Sequence, residues 1–205
     1  MEVAYYLPGV APKDNLITTT GMVSKQEVVH SKFLKAPSCN ISLRPFCLNR
    51  DMPVITNWAW KISKAADMVA ASYLYTGDSD FARSFMVLVN SRFPVFQIDI
   101  SNAAKDELFE SYRYTPGDYI VRFLLNTSKK KIRPLHVKAL QTCIEYFFSF
   151  PEVKQLVAEP DTANKLHNEL LQRAGFSFRE KIHHQYSVSN LYVMHRNQLH
   201  SELFQ

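Results

Sequence analysis

The residues best suited to chemistry fall in two short runs. One is basic: Lys129, Lys130, Lys131 and Arg133, ending on Pro134. The other is acidic, Glu159-Pro160-Asp161, with Asn164 close behind. Proline is tolerated at the first position of a helix, where its missing N–H would have had no partner, so Pro134 marks a helix start. Unpaired N–H groups and the positive end of the helix dipole meet there. Phosphate binds at that kind of place, drawn further by nearby Lys and Arg. The same run also reads as a solvated basic loop. Downstream, Asn164 is an N-cap for a helix that stops at Gly175.

The flanking sequence supplies a scaffold for these runs. A strand over 118–126 leads into the basic loop, the periodic run LHVKALQTCIEYFFSF continues the helix from Pro134, and a second strand covers 154–159. Two parallel strands that diverge beside such a helix start make a cleft in mid-sheet. Upstream, ISLRPF at 41–46 is a short strand. Asn49 and Asp51 offer N-caps, with Pro53 in the first turn of a helix to about Lys61 that carries Trp58 and Trp60. At least one of these Trp residues is expected in the core. A second helix over 64–75 stops at Gly77, and 84–100 reads as a hairpin turning at Asn90 and Ser91. Near the end, FSFREKIHHQYS and SNLYVMHR form two closing antiparallel strands. The element order predicts an α/β architecture: a mixed, mostly antiparallel central sheet with helices on both faces. Residues 1–40 read as an N-terminal extension or arm, and 41–205 as a single domain.

Composition narrows the partners. A chain of 205 residues, 46% hydrophobic and 21% charged, has the makings of one domain with a substantial core. Its net charge of +5 suits an anionic ligand and falls short of a nucleic-acid-binding composition, so no nucleic-acid partner is expected. No apolar run approaches a membrane span and the first residues do not resemble a signal peptide, so a cytoplasmic location without membrane contact is expected. Cys39, Cys47 and Cys143 suggest neither a disulfide framework nor a zinc site. His183 and His184 are adjacent in a strand pattern and point to opposite faces, so they do not share a metal, and none is expected. His136 reads as a helix-surface residue. There is no GxSxG elbow and no Walker-type loop.

Four stretches, in order, carry a resemblance: LRPFCLNRDMPVITNW, PVFQIDI with Asp106 and Tyr112 after it, PGDYIVRFLLN, and VAEPDTANKLHNELLQRAGF. Together they resemble the GNAT-fold acetyltransferases over about residues 43–195. Within that fold they resemble the branch that acylates hydroxylamine groups in hydroxamate siderophore synthesis, such as the N6-hydroxylysine acetyltransferases. The stretch EPDxxN followed by a helix and GF is the most specific. The resemblance implies a GNAT-like fold, acetyl-CoA or another acyl-CoA as co-substrate, a small hydroxylamine or amine acceptor, and siderophore synthetase enzymes as partners. It places pantetheine against Leu124 and Leu125. Pyrophosphate falls along Lys130, Lys131, Ile132, Arg133 and Leu135, with Asn164 also on the cofactor side. The acceptor falls near Asp99, Tyr112, Glu159 and Asp161.

The chain departs from the family pattern in two places. The family's catalytic His falls on Arg122, which cannot deprotonate at accessible pH and so cannot be a general base. Such a base is worth roughly 10²- to 10⁴-fold in rate. A hydroxylamine nitrogen, however, arrives largely neutral, and Asp161 would orient the acceptor or collect the proton. The second departure is the loop KKIRP, which lacks the glycines that let a backbone approach pyrophosphate closely. Two alternatives stand beside acyl transfer: a non-catalytic GNAT-like binding or assembly module, and a basic nucleic-acid-binding domain, which the modest charge disfavours.

Overall fold

The computed structural model describes residues 28–63, 82–106, 112–126 and 133–200. The expectations for the first 27 residues, for a helix over 64–75, and for Lys130, Lys131 and Ile132 lie outside them. Eight strands form one sheet in the order β1-β2-β3-β4-β5-β6-β8-β7. They are β1 (His30–Lys35), β2 (Ser38–Pro45), β3 (Ala82–Val89), β4 (Phe93–Asn102), β5 (Asp118–Leu125), β6 (Gln155–Ala158), β7 (Ser177–His183) and β8 (Val188–His195). Among the described residues the helices are α1 (Leu48–Ser63), α2 (Pro134–Phe148) and α3 (Lys165–Ala174). β5 and β6 run parallel, and the other neighbouring pairs are antiparallel. The mixed, mostly antiparallel sheet with helices on both faces is therefore as expected. From His30 onward, the segment read as an arm is a hairpin that extends the sheet, and the boundary expected at residue 40 falls inside β2.

Strand alternation sorts the sheet into two faces. Ile41, Leu43, Phe85, Val87, Phe96, Ile98, Ile100, Tyr119, Val121 and Leu125 point to one side and bury the apolar faces of α2 and α3. Cys143, Ile144 and Phe147 of α2 are essentially inaccessible there. Each fully buried side chain of the Leu, Ile or Phe kind contributes about 1.5–3 kcal/mol, so this is the face that holds the sheet together. On the other side α1 sets Ile55 and Trp58 against Met86 and Leu88, which places Trp58 in the core.

Local chemistry explains several junctions. Asn90 and Ser91 take φ of 51° and 55°, the two left-handed positions of a tight hairpin turn, and Asn90 Oδ1 accepts the Asn40 N–H at 2.9 Å. Gly117 (φ 101°) turns the chain into β5, where the Gly117 carbonyl accepts from the Lys154 and Gln155 N–H groups and starts the parallel pairing. Pro134 opens α2, and Asn164 Oδ1 accepts the His167 N–H at the start of α3, which Gly175 ends in the left-handed region.

The start of α1 differs from the expectation. The helix begins at Leu48, so Asn49 and Asp51 lie inside it and Pro53 lies beyond its first turn. Asp51 turns inward instead of capping. Its carboxylate accepts both terminal nitrogens of Arg44 at 2.6 Å and the Cys47 N–H at 2.8 Å, with both charged side chains nearly inaccessible. Burial pushes this carboxyl up, but the Arg44 hydrogen bonds and charge outweigh it and hold the group below its usual 3.8. Its contribution is thus complete above 3.8 and is lost as pH falls through the depressed folded value. Breaking such a pair strands a buried cation, so Asp51→Ala is expected to lower stability by about 3–5 kcal/mol in neutral urea titrations. The gap to wild type should narrow in acid.

Candidate active site

The site follows from where the parallel ladder ends. β5 and β6 pair only at Asp118–Gln155, Tyr119–Leu156 and Ile120–Val157, while β5 runs on to Leu125 beside β4. Antiparallel pairing alternates along a strand, and the Asn126 N–H donates to the Val95 carbonyl at 3.0 Å. Counting back in twos, Leu124, Arg122 and Ile120 turn their main-chain groups to β4. Val121, Phe123 and Leu125 turn theirs toward β6. The Gly117 carbonyl, bonded to Gln155, has the same parity. Past Val157 β6 gives them no partner, so Phe123 borders a gap there, while Leu125 is buried outside it. The strands splay there into a cleft of about 360 Å³.

One side of this cleft belongs to α3. His167 and Leu171 line it with Phe123, whose ring centroid lies 4.6 Å from that of His167. Burial pushes the His167 imidazole down to about 4, so at neutral pH it is an uncharged, largely apolar wall.

The opposite side is polar. Ile120 and Val157 belong to a satellite cluster on the face away from α2 and α3, so alternation puts Arg122 and Glu159 on that face too, one on each lip of the gap. Asp99, directly across the ladder from Arg122, lies between Ile98 and Ile100 of the main core and so also points there. Arg122 donates to both oxygens of Asp106 at 2.6 and 3.2 Å, and Ser101 Oγ shares Asp106 Oδ2. Ser84 Oγ and Gln97 Nε2 both donate to Asp99 Oδ1. Burial raises the Asp99 carboxyl to about 6 against the lowering effect of Ser84, Arg122 and Gln97. At the far lip Glu159 Oε1 is hydrogen-bonded to His184 Nε2, and Ser187 and Ser189 complete the wall.

The other residues singled out from sequence have settled places. Leu124 sends its main-chain groups to Gln97 of β4 and Leu125 is buried outside the cleft lining, so the β5 edge residue that borders the cleft beyond the ladder is Phe123. Tyr112 is buried at the closed end of the pair, its hydroxyl donating to Asp118 Oδ2 at 3.0 Å and accepting from Gln155 Nε2 at 2.8 Å. It is not part of the cleft lining. Asp161 is exposed and forms a turn, Oδ1 accepting the Ala163 N–H at 2.7 Å; Asn164 is taken up in capping α3. Arg133 is exposed ahead of α2, where its N–H donates to His136 Nδ1 at 3.1 Å, and Leu135 packs at the edge of the core. His136 thereby acts in the cap, with burial lowering its pKa. Phe123, His167 and His184 had no assigned role from sequence. Strand parity alone would have pointed to Phe123.

A mixed sheet opened between two parallel strands, apolar on one flank and polar on the other, is the frame of an acyltransferase that takes an extended thioester. Residues 48–184 match the acetyltransferase (GNAT) domain family, and the chain belongs to that family. Solved structures show the same fold at low identity. An uncharacterized protein from Bacillus halodurans superposes with a TM-score of 0.72 at 16% identity, covering 86% of this chain and 94% of its own. The aminoglycoside acetyltransferase AAC(6')-Ib in complex with coenzyme A gives 0.62 at 17%, covering 77% and 95%. Mycobacterium smegmatis RimJ in complex with CoA-disulfide gives 0.61 at 13%, covering 87% and 91%. Among curated protein sequences no significant match is found.

The His167 environment yields a pH prediction. A histidine whose folded value is about 4 against 6.5 unfolded stabilises the fold fully above 6.5, and that contribution is lost as pH falls toward 4. Thermal unfolding of His167→Phe should therefore depend less on pH between 6.5 and 4 than that of wild type.

Proposed function

We propose that this protein is an acyl-CoA-dependent N-acyltransferase, with acetyl-CoA as the co-substrate. The carrying observation is the mid-sheet gap at Phe123, whose main-chain groups face away from β4 beyond the end of the β6 ladder and suit an amide of a pantetheine arm lying in extended form. His167 and Leu171 give that arm its apolar wall. The start of α2 at Arg133 and Leu135, preceded by Lys130, Lys131 and Ile132, meets the pyrophosphate. Without loop glycines this contact depends on side-chain charge more than on close backbone approach.

The acceptor enters over the opposite face, where Asp99, Asp106 and Glu159 surround Arg122. Carboxylates there favour a nitrogen nucleophile that carries, or gains during attack, positive charge. Arg122 is held by Asp106 and keeps the face from excess negative charge, and it takes no proton. Nitrogen attacks the thioester carbonyl directly, the Phe123 N–H faces the developing oxyanion, and coenzyme A leaves as the thiol. No covalent enzyme intermediate is needed. The resemblance through EPDxxN favours a hydroxylamine-bearing precursor of a hydroxamate siderophore, made in the cytoplasm and passed to siderophore synthetase enzymes. Solved neighbours include an aminoglycoside acetyltransferase with coenzyme A and kanamycin and a spermidine N-acetyltransferase chimera, which keeps amines among the acceptors.

One observation favours a second reading. Arg122 lines the cleft as an ion-paired guanidinium that takes no proton, as in a binding module without turnover. Two measurements separate the readings. Coenzyme A at 100 times its dissociation constant should add about 2.7 kcal/mol of stability, and N6-hydroxylysine or an N-hydroxydiamine should release thiol from acetyl-CoA. Protection without thiol release would support the binding module. Neither effect would overturn both readings.

A further inference from the structure

With Arg122 unable to accept a proton, the base position of this cleft would be empty unless another lining residue fills it. Among the cleft-lining residues described, the side chains that titrate are Glu159, His167 and His184. His167 stands on the apolar α3 wall against Phe123, where burial disfavours its charged form. Glu159 and His184 stand on the acceptor face, across the gap from Arg122. Glu159 is nearly enclosed, with its side chain 10% exposed, while His184 is open at 36%. A shielded carboxylate bonded to a more open imidazole is the arrangement that fixes a histidine's orientation and stabilises it once protonated.

The backbone holds the pair in place. The β6–β8 ladder continues past β6, the Asn190 N–H donating to the Pro160 carbonyl at 2.9 Å, which fixes Glu159 at the lip. The His184 N–H donates to the Ser187 carbonyl at 2.9 Å, closing the tight loop between β7 and β8. His183 ends β7 opposite Val188 and does not line the cleft.

We propose that His184, oriented by Glu159, accepts the proton of the attacking nitrogen, a role that rests on the acyltransferase reading above. As the nitrogen lone pair forms the bond to the thioester carbon, an N–H proton passes to the imidazole nitrogen away from Glu159. The tetrahedral intermediate then collapses, the carbon–sulfur bond breaks, and the proton passes from the imidazolium to the departing thiolate. Amide and free thiol are the products, and the histidine returns to its starting state. The charged neighbours set the balance: Glu159 stabilises the imidazolium, and the Arg122 guanidinium on the facing lip, neutralised by Asp106, opposes it weakly. Glu159 is in this scheme a positioning residue. The base has moved from the central strand to the opposite lip.

The experiment measures kcat against pH with acetyl-CoA and a primary diamine, an acceptor that must lose a proton, and in parallel the heat protection given by coenzyme A. His184→Gln is expected to lower kcat by roughly 10²- to 10⁴-fold and to remove the acidic limb of the profile, with protection by coenzyme A unchanged. Glu159→Gln should lower kcat with protection by coenzyme A unchanged, because the imidazole loses the carboxylate that orients it. Glu159→Asp should recover part of that loss, and His183→Gln should behave as wild type. If His184→Gln keeps the wild-type kcat and acidic limb, the proposal is overturned and the acyltransferase reading stands. If it loses protection by coenzyme A together with activity, the role is structural and the proposal is again overturned. If wild type neither gains protection nor releases thiol, the acyltransferase reading falls and takes the proposal with it.

Discussion

The rest of the structure depends on a ladder that stops early. β5 and β6 exchange hydrogen bonds only through the Ile120–Val157 register, because β6 runs into Glu159-Pro160 and then turns through Asp161 into α3. The turn carries the chain away from β5. β5 nevertheless continues to Leu125, since β4 still pairs with its other edge. Phe123 is thus left with peptide groups that neither neighbouring strand matches, in the middle of a sheet. Unpaired backbone groups within a structure are costly unless water or a ligand satisfies them. An extended chain bearing amides at peptide-like spacing is what such an edge lacks.

That constraint also divides the labour between the two faces. On the α2 and α3 side the sheet meets a mainly apolar core, and burial there holds His167 neutral. The other face carries the charge. Arg122, Asp106 and Ser101 form one hydrogen-bonded set and Asp99, Ser84 and Gln97 a second beside it, so the lip on β5 is preorganised. The lip beyond the gap carries Glu159 and His184. An arginine at the centre of β5 is accommodated because Asp106 pairs with its charge locally. It cannot act as a base, so on the proposed reading proton transfer falls to another strand.

Much of this could be read from sequence where local rules decide. Pro134 at a helix start, Asn164 and Gly175 at the two ends of α3, and Asn90-Ser91 at a hairpin are each set by the conformational preference of one or two residues, and each is found as expected. Asp51 was misread for the opposite reason: a good capping residue became the partner of Arg44, a contact set by the packing of α1 on β2 and invisible in local sequence. Tyr112 and Asp161 sit near the site in the family pattern, yet their polar atoms are used by Asp118, Gln155 and Ala163. Adjacent histidines in a strand pattern carry no signal of their own, so His184 is given no role by the sequence. Its relation to Glu159 joins the end of β6 to a loop beyond β7, and only the sheet order β6-β8-β7 brings those together.

The central claim is that the open edge of β5 receives the acyl-CoA arm. Amide hydrogen exchange, followed residue by residue with and without coenzyme A, tests it most directly. The account predicts that coenzyme A slows exchange at Phe123, whose N–H group faces the gap. Leu124, already bonded to β4, should change little. Unaltered exchange at Phe123 in protein saturated with coenzyme A would contradict it.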